Sequence, residues 1–360
     1  MADFIPSWVQ TPPPPIDLTA RAEATARQAT LTKPPGSLGR LEALAIELAG
    51  MQGRARPRAD AVAFILFAGD HGIVAQGVSA FPQDVTVQML ANFAAGGAAI
   101  SVLARLHGAS LTVVDVGTIA EAPVAGVITD KIARGSQDFS QARALSKAEL
   151  VHALEAGRRA VEAAGKASGT ISEPGDLLVL GEMGIGNTTA ATAMLAALAN
   201  SAPHEITGAG TGLDADGQTR KAEVISATLA HHDLLGRKAH AADVLGAVGG
   251  HEIAALVGAI IAAAQRGTPV LVDGFIVSVA ALAACQLNPR VCDRLLFAHV
   301  SAERGHRYAL DALEASALLD LGMRLGEASG AAVALPIVRA ACALHAEMAT
   351  FAEAAVSEKR

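Results

Sequence analysis

The stretch DLLVLGEMGIGNTT at residues 176–189 decides the fold of this chain. Residues 176–180 have the short apolar composition of a buried strand, and a glycine-rich turn then leads into an alanine-rich helix. Alternating strands and helices predict a doubly wound α/β fold with a parallel sheet. Residues 121–146 mix glycine with charges and predict an irregular connection. Further strand candidates of the same kind lie at 61–67, 111–116, 269–272 and 295–298.

Both ends of the chain have helical spacing. Residues 17–50 predict a helical hairpin, and residues 331–355 predict a final helix that could pack against it. We therefore expect an α/β nucleotide-binding catalytic domain at 60–325. The chain ends, 1–59 and 326–360, are expected to form a smaller helical domain.

The composition is that of a large protein with a closely packed aliphatic core. Of the 360 residues, 51% are hydrophobic but only 3% are aromatic. The formal net charge is -7 and no basic run occurs, so the chain has no electrostatic footprint for nucleic acid or an anionic membrane. Any phosphate must therefore be recognised by a local site.

Three features favour a cytoplasmic location without membrane insertion. Cys285, Cys292 and Cys342 are too few and too scattered for a disulfide framework. The N-terminal segment, residues 1–15, carries Asp3 in place of a basic start and ends in four prolines, so it does not resemble a signal peptide. The longest uncharged run, residues 274–289, is shorter than the about 20 residues that span a bilayer, so we expect a buried helix there.

Two glycine-rich turns are candidate phosphate sites. Residues 181–189 place backbone N–H groups and hydroxyls at a helix N-terminus, where the helix dipole favours an anion. No Gly-Lys-Ser/Thr follows, so this is not a Walker A loop. A plain helix N-terminus with glycines for tight packing explains the same residues equally well. The second turn, 208–214, precedes Lys221, which could contact a phosphate but could equally be a solvated lysine.

Two further places could carry chemistry. Glu327 lies between small residues at 326–330, where partial desolvation would raise its pKa towards the range of a general base. A helix-capping role is the competing interpretation. Asp70 and His71 directly follow the strand at 61–67 and are plausible pocket residues, although a structural turn is the stronger interpretation. Neither has partners at metal-ligand spacing, so we expect no zinc.

The sequence resembles the nicotinate-nucleotide:dimethylbenzimidazole phosphoribosyltransferases, which make the lower-ligand nucleotide of cobalamin. The resemblance spans nearly the whole chain and includes KPPGSLGRL at 33–41 and AGDHG at 68–72. The other matching motifs follow in the family's order at 81–89, 92–100, 181–189, 210–214, 272–275 and 326–331.

The resemblance implies a Rossmann-like parallel sheet domain, a small helical domain from both chain ends and a homodimer. It implies nicotinate mononucleotide and 5,6-dimethylbenzimidazole as substrates, with no metal and no cofactor. Glu327 would be the catalytic base and Glu182 would lie beside the reacting ribose. The azole-binding residues would be Ser79, Phe81, Gln88 and Met89. The nucleotide and phosphate residues would be Gly184, Gly186, Asn187, Thr188, Lys221, Asp273 and Ser301.

The expected reaction explains why one carboxylate suffices. The nicotinate ring leaves as a neutral pyridine and needs no acid, whereas the incoming azole must lose its N–H proton, so Glu327 should face an apolar pocket near Gln88. Ala328 and Ala298 stand where the family usually has Gly and Ser, which affects only the pocket's shape. A silent nucleotide sensor and a transferase for another azole or a purine are the alternatives.

Overall fold

Six strands form one parallel sheet in the computed structural model, which describes residues 4–167, 176–236 and 239–357. The strands of these residues are β1 Val62–Gly69, β2 Ser110–Gly117, β3 Ile128–Thr129, β4 Leu177–Met183, β5 Val270–Val272 and β6 Leu295–Phe297. Their order is β3-β2-β1-β4-β5-β6, and every neighbouring pair is parallel. This is the doubly wound order whose direction reverses between β1 and β4, where ligands bind at the carboxyl ends of the strands.

Helices cover both faces of the sheet. Within the same described ranges they are α1 Leu18–Thr30, α2 Arg40–Gln52, α3 Asp84–Ala95, α4 Ala99–Leu106, α5 Lys147–Ala167, α6 Asn187–Ala199, α7 Pro203–Ile206, α8 Ala215–His231, α9 Ala241–Val248, α10 His251–Gln265, α11 Phe275–Leu287, α12 Gly305–Ala312 and α13 Ser329–Glu347. Short 3-10 helices lie at Ser7–Gln10, Gly72–Gln76 and Pro289–Arg294.

Alternation along the strands divides the core into two layers. Ile65 and Phe67 of β1 point into a cluster with α5, α6, α10 and α11. Phe64 and Leu66 point the other way, into a cluster with α2, α3, α4 and α13. Because side chains alternate along a strand, the sheet buries both faces, as its continuous apolar strands require.

The helices of the two chain ends contact each other. Arg27 of α1 donates from Nε to the carbonyl of His345 at 2.7 Å, and Gln28 pairs with the imidazole of His345 at 2.9 Å. α13 and α2 also share the hydrophobic cluster with the strands, so the terminal helices cover one face of the sheet. The division into two domains stays a prediction, and residues 1–3 and 358–360 of its smaller part lie outside the described residues.

All five strand candidates and the helical hairpin are confirmed, with shifts of a few residues at their ends. The sixth strand, β3, was missed because its two residues lie in the connection that the sequence marks as irregular. The sequence predicts no disulfide framework, and the single disulfide between Cys285 and Cys292 was not predicted. Residues 289–294 fold back on the end of α11 and bring the two Cα atoms to 5.5 Å.

Two helical stretches are long and apolar enough to cross a membrane by length and composition: Asp84–Leu106 and Ser329–Glu347. The second is α13, more than half of which is buried against the sheet. The first includes the break between α3 and α4 at Gly96 and Gly97. Core helices of this kind satisfy the same criterion.

Candidate active site

A cavity of about 560 Å³ lies at the carboxyl ends of β4, β5 and β6. One side is built by residues that follow these strands, among them Gly184, Asp273 and Ser301. α3 supplies an apolar wall opposite, and residues 324–327 complete the rim. The cavity therefore occupies the place that the strand order predicts for a ligand.

The turn between β4 and α6 presents a helix N-terminus to this cavity. Asn187 and Thr188, the first two residues of α6, line it together with Glu182 and Gly184. The side-chain amide of Asn187 donates to the Glu182 carboxylate. The positive end of the α6 dipole and its first-turn polar groups are suited to binding an anion.

Asp70 stabilises the turn between β4 and α6 through hydrogen bonds. Its Oδ1 accepts the hydroxyl of Thr86 at 2.6 Å, and the Thr86 oxygen accepts the backbone N–H of Ile185 at 3.1 Å. Its Oδ2 accepts the N–H of Ile119. Asp70 and His71 are fully buried and lie outside the cavity wall, so their place agrees with the structural interpretation.

Glu327 projects from a turn in an unusual backbone conformation. Gly326, Glu327 and Ala328 have consecutive positive φ values of 84°, 61° and 65°. Non-glycine residues avoid this left-handed region, and such strain persists only where the surroundings hold it. Ala328 takes the position at which the family usually has glycine, and glycine adopts this φ without cost.

Two glycines allow this turn to sit against β4. A β-carbon on Gly181 would lie 2.8 Å from the Cβ and N of Ala328 and from the backbone carbonyl carbon of Glu327. A β-carbon on Gly326 would collide with the carboxylate of Glu182. The close approach of two backbones therefore brings the carboxylates of Glu182 and Glu327 into one cavity.

Burial gives the site's carboxyls a strong tendency to stay protonated. It raises the pKa of Glu327 to about 7, opposed by the backbone N–H of Ile100 at the start of α4. It raises the pKa of Glu182 to about 8, with further contributions from Asp273, Glu252 and Glu327. The second oxygen of Glu327, Oε2, is buried without a hydrogen-bond partner in the described part of the chain. A carboxyl that has one oxygen without a partner and a pKa near 7 has properties suited to a general base.

Cationic and polar groups surround the anion-binding end. Lys221 is fully buried and donates from Nζ to the Thr188 hydroxyl at 2.9 Å. Burial lowers the pKa of Lys221 to about 8, while Glu303 on the cavity wall opposes this shift. His306 accepts the backbone N–H of Ser301 at 2.7 Å and orients the loop after β6. Burial lowers the pKa of His306 to about 3, so its ring is neutral.

The apolar end of the cavity is formed by Phe81, Val85 and Met89. Val85 and Met89 lie four residues apart on α3 and so share one helix face. Gln88 is exposed and lies outside the cavity wall, because one residue along a helix rotates the side chain by about 100° from Met89. Ser79 does not line the cavity, but its hydroxyl contacts the hydroxyl of the lining residue Thr211 at 3.3 Å.

The structure brings together most of the predicted site. Nine predicted residues line the cavity: Phe81, Met89, Glu182, Gly184, Asn187, Thr188, Asp273, Ser301 and Glu327. Lys221 and Ser79 contact the wall from outside, Gly186 is the N-cap of α6, and only Gln88 points away. The expectation that Glu327 lies near an apolar pocket agrees with this arrangement, but Gln88 is not part of that pocket.

Several wall residues were not predicted. His299 and Glu303 follow β6, and the strand-end rule that drew attention to Asp70 could have found them. Arg324 and Leu325 lie in an irregular segment without a sequence signal.

A buried hydrogen-bonded pair of His71 and Glu252 behind the site was also missed. Nε2 of His71 lies 2.6 Å from Oε1 of Glu252, and both side chains are fully buried. The only sequence signal is a carboxylate at the start of the otherwise apolar α10. Because Glu252 adds negative charge near Glu182, it contributes to the raised pKa of that carboxyl.

Fold and site together define an α/β enzyme of the Rossmann type, in which a helix N-terminus and two buried glutamates line one cavity. A sequence model described as phosphoribosyltransferase matches residues 13–356, and the chain belongs to this family of phosphoribosyl-transferring enzymes. A nicotinate-nucleotide–dimethylbenzimidazole phosphoribosyltransferase of a Bradyrhizobium species is 60% identical over 98% of this chain and 99% of its own length. One from Pseudomonas putida is 53% identical over 98% and 99%.

Solved structures agree with this assignment. A crystal structure of the corresponding Thermus thermophilus enzyme has a TM-score of 0.87 and 40% identity, covering 96% of this chain and all of its own. The family resemblance and the α/β fold class are therefore confirmed, whereas the roles of individual residues stay predictions.

Proposed function

We propose that this enzyme transfers the phosphoribosyl group of nicotinate mononucleotide to 5,6-dimethylbenzimidazole, giving α-ribazole 5'-phosphate and nicotinate. The observation that carries this proposal is the position of Glu327. Its side chain lines a cavity that has the N-terminus of α6 at one end and an apolar wall at the other, and one of its two carboxylate oxygens has no hydrogen-bond partner in the described part of the chain. A phosphoribosyl donor and a neutral aromatic acceptor fit these two ends.

The nucleotide phosphate would bind at the start of α6. Asn187 and Thr188 supply first-turn donors, and Lys221 holds the Thr188 hydroxyl and adds positive charge nearby. Ser301, oriented through His306, lines the same part of the cavity. The phosphate serves as a handle and remains on the product, so the reaction needs no metal to stabilise a leaving pyrophosphate.

The azole would lie against Phe81, Val85 and Met89. One ring nitrogen attacks C1' of the ribose while the other gives its proton to Glu327. The bond from C1' to the pyridine nitrogen breaks at the same time, and its electron pair neutralises the departing ring. Attack on the face opposite the leaving group converts the β linkage to an α linkage, so acceptor and leaving group need separate places.

Glu182 is proposed to contact the ribose. Its pKa of about 8 keeps it protonated at neutral pH, so it can donate a hydrogen bond to a sugar hydroxyl without adding negative charge. The amide of Asn187 holds the carboxyl in place. Glu182 and Glu327 would thus have separate tasks because their surroundings differ.

Substrate profiling tests this function. The purified protein is incubated with nicotinate mononucleotide and a panel of benzimidazoles and purines, and nicotinate release is measured. We expect release that depends on the added base and is fastest with 5,6-dimethylbenzimidazole. Release with no base in the panel would favour a nucleotide sensor, and a preference for a purine would favour a different transferase.

We also propose a homodimer that covers an apolar surface of α3, α4 and β3. Val102 and Leu106 of α4 are 49% and 74% exposed, and Ile128 of β3 is 50% exposed at the sheet edge. Gly126 beside β3 packs against Ala94 of α3, which joins these elements into one surface. Light scattering should give twice the mass of one chain, and Leu106→Glu should reduce it.

A cytoplasmic location is the last part of this proposal. The small number and wide spacing of the cysteines support it, whereas the disulfide between Cys285 and Cys292 does not. Trapping of free thiols in freshly lysed cells distinguishes the two: alkylation of both cysteines is expected, and full protection would argue for an oxidising compartment.

A further inference from the structure

Asp273 lies where the cavity meets the N-terminus of α13. It follows β5 directly, its side chain is almost completely buried, and its Oδ1 accepts the backbone N–H of Ala331 at 2.7 Å. Ala331 is the third residue of α13, whose N–H has no partner within the helix. The helix's own N-cap residue, Ala328, supplies no side-chain hydrogen bond. Asp273 therefore caps α13 from a different element of the fold.

The capped helix begins two residues after Glu327. Burial raises the pKa of Asp273 to about 7, and hydrogen bonds from the backbone N–H groups of Ala331, Gly330 and Ala328 oppose this shift. One carboxylate thus interacts with the left-handed turn that carries Glu327 and with the helix that follows it. Such a turn is retained only where neighbouring contacts hold it, and Asp273 supplies a set of these contacts.

We propose that Asp273 is a positioning residue that holds Glu327 in place through the N-terminus of α13, and that it is not primarily a nucleotide contact. The proposal rests on the proposed role of Glu327 as the base. Its testable consequence is that Asp273 affects the chemical step through Glu327, beside the contribution of its charge to the raised pKa of Glu182. Loss of its carboxylate should leave nucleotide binding intact and lower the rate of the chemical step.

A double-mutant cycle tests this proposal. Asp273→Ala should lower kcat about 10- to 100-fold, the size of effect that a misplacement near 1 Å produces. KM for nicotinate mononucleotide should change less than about 3-fold, well below the roughly 10-fold or larger effect of losing a hydrogen bond to a charged group. In the Glu327→Gln background the same change should cost less than about 3-fold, because residues that act as a unit are not additive.

Ser301→Ala is the matched control, because Ser301 also lines the cavity after a strand. It should raise the nucleotide KM and add fully to Glu327→Gln. Asp273→Asn keeps an acceptor oxygen and should lie between the wild type and Asp273→Ala, which provides a folded variant if the alanine protein is unstable.

The outcomes separate this proposal from the proposed function. A large loss in Glu327→Gln combined with full additivity of Asp273→Ala, or with a raised nucleotide KM, overturns the positioning role and leaves the base assignment standing. Near-normal turnover of Glu327→Gln overturns both.

Discussion

Replacing Gly181 by alanine should damage catalysis through the close contact between β4 and the Glu327 turn. The new β-carbon would lie 2.8 Å from three heavy atoms, two of which belong to the backbone of Glu327 and Ala328. Carbon atoms pack at about 3.5 Å or more, so the turn must retreat by about 0.7 Å. A misplacement of about 1 Å can cost about 100-fold in rate, and we expect kcat to fall about 10- to 100-fold.

The assay is nicotinate release with both substrates saturating, combined with calorimetric titration of the nucleotide. Nucleotide affinity should change little, because the phosphate end does not touch the new methyl group. Gly181→Ala with Ala328→Gly should not recover the rate, since the backbone contacts remain. Gly246→Ala in α9, whose new methyl group would meet only the end of the flexible Arg143 side chain, is the control for a general cost of the substitution and should keep wild-type turnover. Wild-type kcat in Gly181→Ala would show that the close contact between β4 and the Glu327 turn does not position the base.

Three further predictions concern the charged groups of the site. Because the pKa of Glu327 is about 7 and the base must be ionised, kcat/KM should fall about tenfold per pH unit below pH 7 and level off above it. A pH profile of kcat/KM that is flat from 5 to 8 would contradict this prediction. The raised pKa of Glu182, about 8, means that its contribution to stability is present below the unfolded value of 4.5 and is lost as the pH rises through 8. Glu182→Gln should therefore have a higher Tm than the wild type at pH 9 and nearly the same Tm at pH 5; the opposite trend in thermal unfolding would count against a buried neutral acid. Lys221→Met keeps the buried volume but removes the charge, so nucleotide binding measured by calorimetry should weaken about 10- to 100-fold, the contribution of a charge-assisted hydrogen bond. Equal weakening of azole binding would argue against a phosphate role.

Much of the fold could be predicted because its signals are local. The apolar strands and the glycine-rich turns after them occur within single stretches, and so the β4–α6 turn with Glu182 and Asn187 was found directly from residues 181–189. Glu327 was also found locally, as a carboxylate among small residues. The family resemblance then brought these separate stretches into one site.

The rest depends on contacts between distant parts of the chain. The cap that Asp273 supplies to Ala331 joins residues 58 positions apart, and nothing near either residue announces it. The His71–Glu252 pair spans 181 positions in the same way. Gln88 lies outside the cavity wall for a different reason: a motif match assigns a residue to a pocket but does not say which face of α3 it occupies.

The role of Glu327 as the general base is tested most directly by the single-turnover rate of Glu327→Gln with nicotinate mononucleotide and 5,6-dimethylbenzimidazole. Glutamine keeps the shape of the side chain but cannot take the azole proton. We expect a single-turnover rate about 100- to 10,000-fold below that of the wild type, because this is the usual contribution of a general base. Nucleotide affinity should be unchanged. A loss of rate of less than about threefold would be smaller than any general-base contribution in that range. It would contradict the role of Glu327 as the general base.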